Sequence, residues 1–487
     1  MRYLPVTSNH RPILEFMPVC GLPCHYSFDT LTRWIESYAS LLYHSGIRRG
    51  DRVCLYLSNS PELIVALFGN HLLGAISVPV NSAATQEEVI YIAERAEISA
   101  LISDCDWGLP LRFRLKPSEF SSALECQNRD FPDNRQPEMP ALLCFTSGTT
   151  ARPKGVLLTH LNIRSNLQDL IQVWEWTAQD HLLLSLPLFH VHGLVVALHG
   201  WAMTGCGAVV LEKFDPARVL SLLSDRPCSL FMGVPTMYRR LLDAYDSSRH
   251  RFSDLRLTVT GSAPMSVELH GRCQEVFGHI PVERYGMTET LMNSSNLWKG
   301  KRKPGSVGLP LPSVRMRLMD DQCREIEERE TPGEIWVQGP NVFSGYWRDP
   351  EATSRAFHQG WFRTGDLGLR DSEGYYHLLG RISVDLLKSG GYLIGAREIE
   401  EVLERHPAVR EAAVVGLPDV DLGERVTAFV VAGGQAEIEE EELLSHCSRS
   451  LARYKCPRKV IFVPALPRNS MGKITKTELI KKPSAGE

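Results

Sequence analysis

The sequence lacks a clear membrane-spanning segment. One uncharged run, residues 193–211, approaches the roughly 20 residues that a transmembrane helix needs. It contains His199, Thr204 and four glycines, two of which flank Cys206. We therefore predict a buried helix, a glycine turn and then a strand over residues 208–211. Residues 1–16 also lack the apolar core of a signal peptide.

A strong charge imbalance and a metal-binding cysteine pattern are also absent. The net charge is −4 and no polybasic block occurs, so nothing supports a nucleic acid or an anionic membrane as partner. Of the 12 scattered cysteines, Cys20 and Cys24 come closest to a zinc pair, and no second pair follows. Unpaired cysteines are typical of a reducing compartment, so we expect a cytoplasmic protein.

The chain contains enough apolar sequence for more than one core. Apolar residues make up 43% of its 487 residues. At roughly 150 residues per domain, such a length suggests about three units. Helical and strand patterns alternate through residues 27–45, 52–57, 61–73 and 75–80, which indicates a parallel sheet flanked by helices. Residues 112–140 are polar and irregular, which predicts a loop.

The pattern changes to short strands and turns after about residue 308. Beyond residue 381 we predict helices over residues 396–406 and 438–451, and strands over residues 412–416 and 426–431. The predicted fold class is therefore α/β. A large N-terminal domain of layered sheets flanked by helices, residues 1–381, precedes a small α+β C-terminal domain, residues 382–487.

The sharpest local signal lies in residues 142–155. An apolar strand leads into Thr146, Ser147, Gly148, Thr149 and Thr150, and Lys154 follows. Small hydroxyl side chains and a glycine allow N–H and O–H groups to converge on an anion, and the lysine adds a mobile positive charge. This combination suits a triphosphate. An ordinary Ser/Thr/Gly-rich turn is the alternative.

This loop differs from a Walker loop, in which Ser or Thr follows the lysine directly and a helix begins. Here Gly155 follows Lys154, and residues 156–159 have the pattern of a strand. A helix is expected only near Asn162, which is a good N-cap residue. We therefore predict that the loop joins two strands.

Four further segments follow in order: residues 186–193, residues 284–290, residues 361–368 with Gly380-Arg381, and residues 467–473. With the phosphate loop, they resemble the adenylate-forming superfamily of acyl-CoA synthetases, luciferases and peptide-synthetase adenylation domains. The resemblance covers about residues 25–480. It implies ATP, Mg²⁺, coenzyme A and a small carboxylic acid as ligands. It also implies that the C-terminal domain is a mobile lid on an adenylate-forming domain.

The resemblance assigns nucleotide roles to individual residues. Thr146 to Gly155 would hold the phosphates, Tyr285 would lie against adenine, Thr288 would contact the nucleotide near its α-phosphate, and Asp366 would accept both ribose hydroxyls with Arg381 beside it. Glu289 would bind Mg²⁺, a hard ion that prefers oxygen ligands. Taken singly, Asp366 could be a turn former and Glu289 a helix cap.

Catalysis in this family requires two anions to meet. A carboxylate attacks the α-phosphate of ATP, expels pyrophosphate and forms an acyl-AMP, whose leaving group is AMP. Mg²⁺ and Lys473 would offset the repulsion, although Lys473 alone could be a solvated charge. The C-terminal domain then turns, and a thiol attacks the acyl carbon. The strand expected to line the thiol channel contains Lys388, Ser389, Gly390, Gly391 and Tyr392.

Two positions depart from the family pattern. Ala151 stands where many relatives have glycine, which strains the loop by roughly 1 kcal/mol if that position requires a positive φ. The segment after Arg381 carries one extra residue. The pivot of the C-terminal domain therefore falls at Ser383 or at Val384.

Residues 284–293, 189–193 and 381–392 resemble the malonyl-CoA synthetases in particular. The resemblance implies that Arg284 binds the distal carboxylate of a short dicarboxylic acid, to which a guanidinium pairs bidentately. In the alternative, Arg284 points outward or pairs with Glu283 or another acid. His190 would line the acyl entrance, and His192, on the same face of a strand, would enclose the acid or be structural. Ser262 is a further candidate for the pocket wall.

Three hypotheses remain open at this point. The first is a CoA ligase for malonate or methylmalonate. The second is the same chemistry on an aliphatic or aromatic monoacid. The third is an adenylation enzyme that loads a carrier protein.

The implied role of Lys473 gives a first prediction. Lys473→Ala should abolish adenylation, measured as exchange of labelled pyrophosphate into ATP, because the variant lacks the cation between the two anions. Thioester formation from supplied acyl-AMP and CoA should persist. Loss of both half-reactions would contradict a role confined to adenylation.

Overall fold

The computed structural model describes residues 13–124, 131–132, 136–146, 153–382, 385–389, 392–433, 438–468 and 474–481. The chain divides into two compact units. The first contains residues 1–316 and 337–362, and the second contains residues 317–336 and 363–487. The functional boundary after residue 381 stays a prediction, because compactness alone does not show which segment moves.

The strands, in chain order, are β1 Leu14–Met17, β2 Cys24–Tyr26, β3 Arg52–Tyr56, β4 Ile76–Val80, β5 Ala100–Ile102, β6 Phe113–Leu115, β7 Pro140–Thr146, β8 Lys154–Thr159, β9 His181–Leu184, β10 Gly207–Leu211, β11 Leu230–Gly233, β12 Leu257–Thr260, β13 Val282–Met287, β14 Leu291–Ser295, β15 Leu309–Pro310, β16 Arg315–Met319, β17 Gly333–Gln338, β18 Gly345–Tyr346, β19 Phe357–His358, β20 Trp361–Arg370, β21 Tyr376–Arg381, β22 Leu386–Ser389, β23 Tyr392–Gly395, β24 Val409–Asp419, β25 Gly423–Ala432 and β26 Lys459–Phe462.

The helices are α1 Phe28–His44, α2 Pro61–Leu73, α3 Gln86–Ala96, α4 Phe120–Leu124, α5 His160–Trp174, α6 Gly200–Thr204, α7 Pro216–Asp225, α8 Pro235–Ala244, α9 Val267–Phe277, α10 Pro350–Ala356, α11 Ala396–Glu404, α12 Glu440–Ser450 and α13 Lys476–Lys481. A 3₁₀ turn, Pro117–Glu119, precedes α4, and a π-helix, His192–His199, precedes α6.

Local capping explains where the early helices begin and end. Ser27 caps α1 by accepting a hydrogen bond from the Thr30 N–H at 3.1 Å. Helix α2 has Pro at its first position and ends at Gly74, whose φ of 79° is left-handed. The predicted N-cap at Asn162 is wrong. Thr159 caps α5, and Asn162 is the third helical residue of a reciprocal capping box.

Two mixed, mainly parallel sheets are found among the described residues of the first unit. One has the order β15-β14-β13-β12-β11-β9-β10-β1-β2, and the other β18-β8-β7-β4-β3-β5-β6. Strands β9 to β13 pair in parallel, as do β3, β4 and β5. Antiparallel hairpins β7–β8 and β13–β14 extend the sheets. The predicted α/β fold class is confirmed, because helices connect the parallel strands.

The loop predicted for residues 112–140 is partly wrong. Strand β6 adds to the edge of the second sheet in parallel with β5, and α4 follows it. Tyr38 of α1 stacks on Phe120 of α4 with ring centroids 5.6 Å apart. This aromatic contact holds the segment against α1. The polar average composition of residues 112–140 gave no indication of it.

The second unit contains a sheet with the order β16-β17-β20, to which β21 pairs, and a sheet with the order β23-β22-β25-β24, to which β26 pairs. Helices α11 and α12 pack on the second sheet around Ile399, Leu403, Val414 and Leu443, all of them inaccessible to solvent. The tail beyond residue 381 is thus α+β, as predicted, with its own core.

The uncharged run of residues 193–211 does not form one long helix. It continues as the π-helix and α6, turns at Gly205, whose φ is 71°, and enters β10. Among the described residues, no helix is long and apolar enough to cross a membrane. The predicted helix, glycine turn and strand are confirmed.

A matched pair of glycines tests the packing of α1 on α2. A Cβ added at Gly69 would lie 2.4 Å from Cδ1 of Tyr38, whereas one at Gly271 in α9 meets nothing within 4 Å. Alanine normally stabilises a helix interior by about 0.5–1 kcal/mol over glycine, so Gly271→Ala should stabilise. Gly69→Ala should destabilise by about 1–3 kcal/mol because the core is overpacked. Equal shifts of the urea midpoint in both variants would contradict this packing.

Candidate active site

The phosphate loop lies between two antiparallel strands, as predicted. Strand β7 ends at Thr146 and β8 begins at Lys154, and these two residues are paired in the register. Ser147, Gly148, Thr149, Thr150 and Ala151 lie outside the described residues. Nζ of Lys154 lies 5.1 Å from the ring centroid of Tyr346, within cation–π range.

Glu289 approaches the same tyrosine from the other sheet. It lies with Thr288 in the turn between β13 and β14, and its side chain is buried. The hydroxyl of Tyr346 donates to Oε1 of Glu289 at 3.1 Å. Lys154 and Glu289, from separate motifs, are therefore brought together by Tyr346. Tyr285, the predicted adenine contact, is a buried residue of β13.

Sequence reasoning missed Tyr346. The residue lies on β18, a two-residue strand that pairs antiparallel with β8 so that Tyr346 faces Val156 in the register. Its position depends on pairing between segments far apart in the chain. No local residue spacing indicates such a contact. The one available signal is the position of Gly345-Tyr346-Trp347 between the motif segments 284–290 and 361–368.

The residues around Glu289 fit a magnesium ion that arrives with a nucleotide. In the described part of the chain, no group of three or more His, Cys, Asp or Glu could hold a metal ion. Mg²⁺ is usually held by one or two carboxylates together with substrate phosphates and water. A single buried carboxylate beside a lysine-bearing phosphate loop matches that requirement.

Arg284 is a buried cation that forms no ion pair with an acid among the residues that the structure describes. Its side chain is 3% exposed, Nη2 donates to Oγ of Ser262 at 3.1 Å, and Nε has no hydrogen-bond partner among the described residues. Burial lowers the pKa of Arg284, and the negative charge of Glu283 raises it by less, so that the pKa is about 9. The guanidinium is therefore still charged at neutral pH. An unpaired buried charge costs several kcal/mol, so this site favours an anionic ligand.

Glu283 does not form an ion pair with Arg284, although the two are adjacent. Successive side chains of a strand point to opposite faces of the sheet. Oε1 of Glu283 accepts from the Met265 N–H at 3.2 Å, and Oε2 lies 3.5 Å from Nε2 of His270 on α9. The alternative in which Arg284 points outward or pairs with Glu283 does not describe this geometry.

Gly261 and Ser262 form the surface on which the Arg284 guanidinium rests. A Cβ added at Gly261 would lie 2.7 Å from both Cζ and Nε of Arg284. Ser262 has a φ of 69°, a left-handed conformation that is unusual for a serine. This conformation accompanies the hydrogen bond from Arg284 to the serine hydroxyl. Ser262 therefore contacts Arg284, and its role as a wall of the acid pocket stays a prediction.

His192 lies near Arg284, but not on a strand. The prediction that His190 and His192 share a strand face is wrong, because the chain bends at His190 and His192 begins the π-helix. Neither ring nitrogen of His192 has a hydrogen-bond partner within the described residues. Burial lowers its pKa well below the usual value, and the nearby Arg284 and His190 lower it further. His192 is therefore neutral at pH 7.

Asn59 fixes the segment that leads to these histidines. Its Nδ2 donates to the carbonyl oxygens of Leu186 at 2.9 Å and Leu211 at 3.1 Å, and its Oδ1 accepts from the Leu188 N–H at 2.9 Å. Asn59 is buried, so these contacts are protected from water. It is a second residue that sequence reasoning missed, since its three partners lie at least 127 residues away along the chain.

The second unit contains the predicted ribose pair. Asp366 and Arg381 are partners in the β20–β21 register, and Nε of Arg381 lies 2.8 Å from Oδ1 of Asp366. Nη1 of Arg381 also donates to the Thr364 carbonyl oxygen at 3.1 Å. Arg381 is thus held beside Asp366, as the sequence predicted.

The predicted thiol strand forms the hairpin β22–β23, in which Ser389 is buried and pairs with Tyr392. The backbone positions of Lys388 and Tyr392 belong to this hairpin. Gly390, Gly391, Lys473 and both candidate pivots, Ser383 and Val384, lie outside the described residues.

Comparison with known proteins identifies the family. The sequence model for the AMP-binding enzyme family matches residues 7–347, and that for the AMP-binding enzyme C-terminal domain matches residues 398–473. The chain belongs to the AMP-binding enzyme family. The resemblance to adenylate-forming enzymes that the motifs indicated is confirmed.

Similar family members include acid–CoA ligases. A malonate–CoA ligase of Arabidopsis thaliana is 36% identical over 92% of this chain and 80% of the relative. The Homo sapiens protein named malonate–CoA ligase ACSF3, mitochondrial, is 35% identical over 90% of this chain and 84% of the relative. The ATP-bound crystal structure of MatB from Rhodopseudomonas palustris is 36% identical, covers 99% of both chains and has a TM-score of 0.91.

The contact between Gly261 and Arg284 gives a prediction. Gly261→Ala should displace the guanidinium, because the added Cβ has no room beside it. We expect KM for the acid to rise about tenfold, since an error of about 1 Å in placement costs up to about 100-fold. KM for ATP should change little. A parallel rise of both constants, absent in Gly271→Ala, would contradict a local effect on the acid.

Proposed function

We propose that this AMP-binding enzyme is an ATP-dependent acid–CoA ligase for a short dicarboxylic acid, malonate or methylmalonate. It would form the acyl-adenylate with release of pyrophosphate, and then transfer the acyl group to coenzyme A with release of AMP. The proposal combines the family membership with the chemistry of the described residues. The names of the similar ligases support the choice of acid.

The observation that carries the choice of acid is the buried guanidinium of Arg284. A monoacid with an apolar chain would leave this charge buried and unpaired. The second carboxylate of a dicarboxylic acid would satisfy Nε and restore an ion pair. The charge of Arg284 acts on His192, and neither ring nitrogen of His192 has a hydrogen-bond partner in the part of the chain that the structure describes. A neutral imidazole there can donate one hydrogen bond to the same anion.

The residues at the other end of the β13–β14 hairpin suit the adenylation step. Glu289 would bind Mg²⁺, which supplies positive charge to the phosphates when it is bound. Lys154 would approach the phosphates from β8. Tyr346 orients both residues, because it contacts the lysine with its ring and the carboxylate with its hydroxyl. Thr288 and Tyr285 retain their proposed contacts with the α-phosphate and the adenine.

The remaining roles are proposals that rest on the family resemblance. Asp366 would accept hydrogen bonds from the ribose hydroxyls, and its ion pair with Arg381 orients the carboxylate. Lys473 would bridge the attacking carboxylate and the α-phosphate. Residues 388–392 would line the path of the thiol. Free cysteines among the described residues support a reducing, cytoplasmic location, whereas the name of the human relative includes the word mitochondrial.

The test measures acid-dependent exchange of labelled pyrophosphate into ATP with malonate, methylmalonate, acetate, octanoate and benzoate. We expect malonate or methylmalonate to be preferred. Arg284→Ala should lower kcat/KM for malonate about 100-fold, because loss of one member of a buried charge pair costs about 2–5 kcal/mol. Arg284→Lys should recover part of this loss, since it restores the charge but not the fork.

Equal turnover of octanoate and malonate by the wild-type enzyme would contradict the dicarboxylate assignment and favour a monoacid ligase. Exchange without CoA-dependent product formation would favour a carrier protein as acceptor. The melting temperature of each variant is the control for folding, because a lost buried contact can also lower stability.

A further inference from the structure

The turn that carries Thr288 and Glu289 has a strained neighbour. The two residues are the central pair of a turn in which the Thr290 N–H donates to the Met287 carbonyl oxygen at 3.2 Å. The next residue, Leu291, has a φ of 53°, a left-handed conformation that is unusual for a leucine. Such a conformation persists only where surrounding contacts hold it. The contacts that fix this turn therefore decide where the carboxylate of Glu289 lies.

Residues 340–347, here called the connecting segment, supply contacts of this kind from a distant part of the chain. Nδ2 of Asn341 donates to the Thr290 carbonyl oxygen at 2.6 Å. The Phe343 N–H donates to the Glu289 carbonyl oxygen at 2.8 Å. The tyrosine hydroxyl that donates to the Glu289 side chain belongs to the same segment. The connecting segment therefore holds both the backbone of the turn and its carboxylate.

The connecting segment is also bound to α5 and β8. Nδ2 of Asn162, in the first turn of α5, donates to the carbonyl oxygens of Pro340 and Val342, both at 2.8 Å. The Trp347 N–H donates to the Gly155 carbonyl oxygen of β8 at 2.7 Å. The segment therefore joins the β13–β14 turn to the two elements that directly follow the phosphate loop in the chain.

Asn341 is central to this connection. Its side chain is inaccessible to solvent, and Nδ2 also lies 3.3 Å from both the Met292 carbonyl oxygen and Oδ1 of Asn293. Oδ1 of Asn341 has no hydrogen-bond partner among the described residues. Burial of that oxygen is unfavourable, and an apolar side chain would avoid it. The amide is therefore explained by what its N–H groups hold, which is the hairpin around Thr290.

We propose that Asn341 is a positioning residue for the carboxylate of Glu289. Its hydrogen bond to the Thr290 carbonyl oxygen fixes the turn against the connecting segment, and thereby fixes the separation of Glu289 from Lys154. Mg²⁺ demands near-ideal octahedral geometry, so a small displacement of one carboxylate weakens its binding. This role rests on the proposed function, in which Glu289 binds Mg²⁺ together with the nucleotide.

The test compares Asn341→Ala with Asn166→Ala, a control that is matched in burial and in the strand it holds. Asn166 is also inaccessible to solvent. Its Nδ2 donates to the Met292 carbonyl oxygen at 2.7 Å, and its Oδ1 accepts from the Met292 N–H at 3.1 Å. Each variant loses a buried amide that holds β14, so each should lower the melting temperature. Of the two amides, that of Asn341 holds the residue next to Glu289.

Binding of a non-hydrolysable ATP analogue is measured by calorimetry with and without Mg²⁺. In Asn341→Ala the gain in affinity that Mg²⁺ confers should fall about 10-fold, because loss of a residue that orients a metal ligand typically weakens metal binding by about 10- to 100-fold. Affinity for the analogue alone should stay within about twofold, as should both affinities in Asn166→Ala. In pyrophosphate exchange, KM for MgATP should rise about 10-fold, while KM for malonate should change by less than about twofold.

Equal effects of Asn341→Ala and Asn166→Ala on the Mg²⁺-dependent affinity would overturn the proposal in favour of a purely structural role. An unchanged effect of Mg²⁺ in Asn341→Ala would also overturn it. If Asn341→Ala does not fold, Asn341→Ser keeps a polar group but shortens the side chain, and the same selective loss is expected.

Failure of the proposed function would give a different result. Absence of acid-dependent exchange in the wild-type enzyme would contradict the ligase assignment, whereas the effect of Mg²⁺ on binding of the analogue is measured without an acid. Glu289→Gln should lose the same gain in affinity as Asn341→Ala. Retention of that gain in Glu289→Gln would contradict the role proposed for Glu289 and with it the role of Asn341.

Discussion

The charge on Arg284 is the constraint on which the proposed acid site depends. A guanidinium that is 3% exposed, and whose Nε has no hydrogen-bond partner among the described residues, is unfavourable. The strand alternation that directs Arg284 to one face directs Glu283 to the other, where Met265 and His270 contact it. The fold therefore keeps the nearest acid away from the cation. A ligand carboxylate is the partner that this arrangement lacks.

In the proposed site, the hairpin β13–β14 joins the end that would bind the acid to the end that would bind the nucleotide. Arg284 lies on β13, and Glu289 lies in the turn that follows it. The register of the hairpin shifts between Tyr285 and Gly286, which lie between Arg284 and Glu289 in the chain. Tyr346 then couples Glu289 to Lys154 across to the second sheet. A single short segment thereby sets the separation between the two anions that must react.

Much of the fold could be predicted from local pattern. The helical patterns over residues 27–45 and 61–73 depend on residues within a few positions of one another, so their bounds are close to those of α1 and α2. The loop between β7 and β8 was also predicted, because glycine after Lys154 and an apolar run exclude a helix there. The predicted start of α5 was three residues too late, because Thr159 and not Asn162 is the N-cap.

The contacts that assemble the site could not be predicted in the same way. Tyr346, Asn59 and Gly261 act on residues far away in the chain, and nothing in their own neighbourhoods signals a partner. His190 and His192 were assigned to a strand from their spacing, but two residues cannot distinguish a strand from the bend and π-helix that occur. Family resemblance supplied the candidate residues, and only the tertiary structure showed that Arg284 is buried and that Glu283 makes its contacts with Met265 and His270 instead.

A crystal structure with malonate and a non-hydrolysable ATP analogue would test this account most directly. The predicted result is one malonate carboxylate within about 3 Å of the Arg284 guanidinium, including Nε, with the other carboxylate directed toward the α-phosphate. A structure in which malonate binds away from Arg284, while a protein carboxylate pairs with that guanidinium, would contradict it.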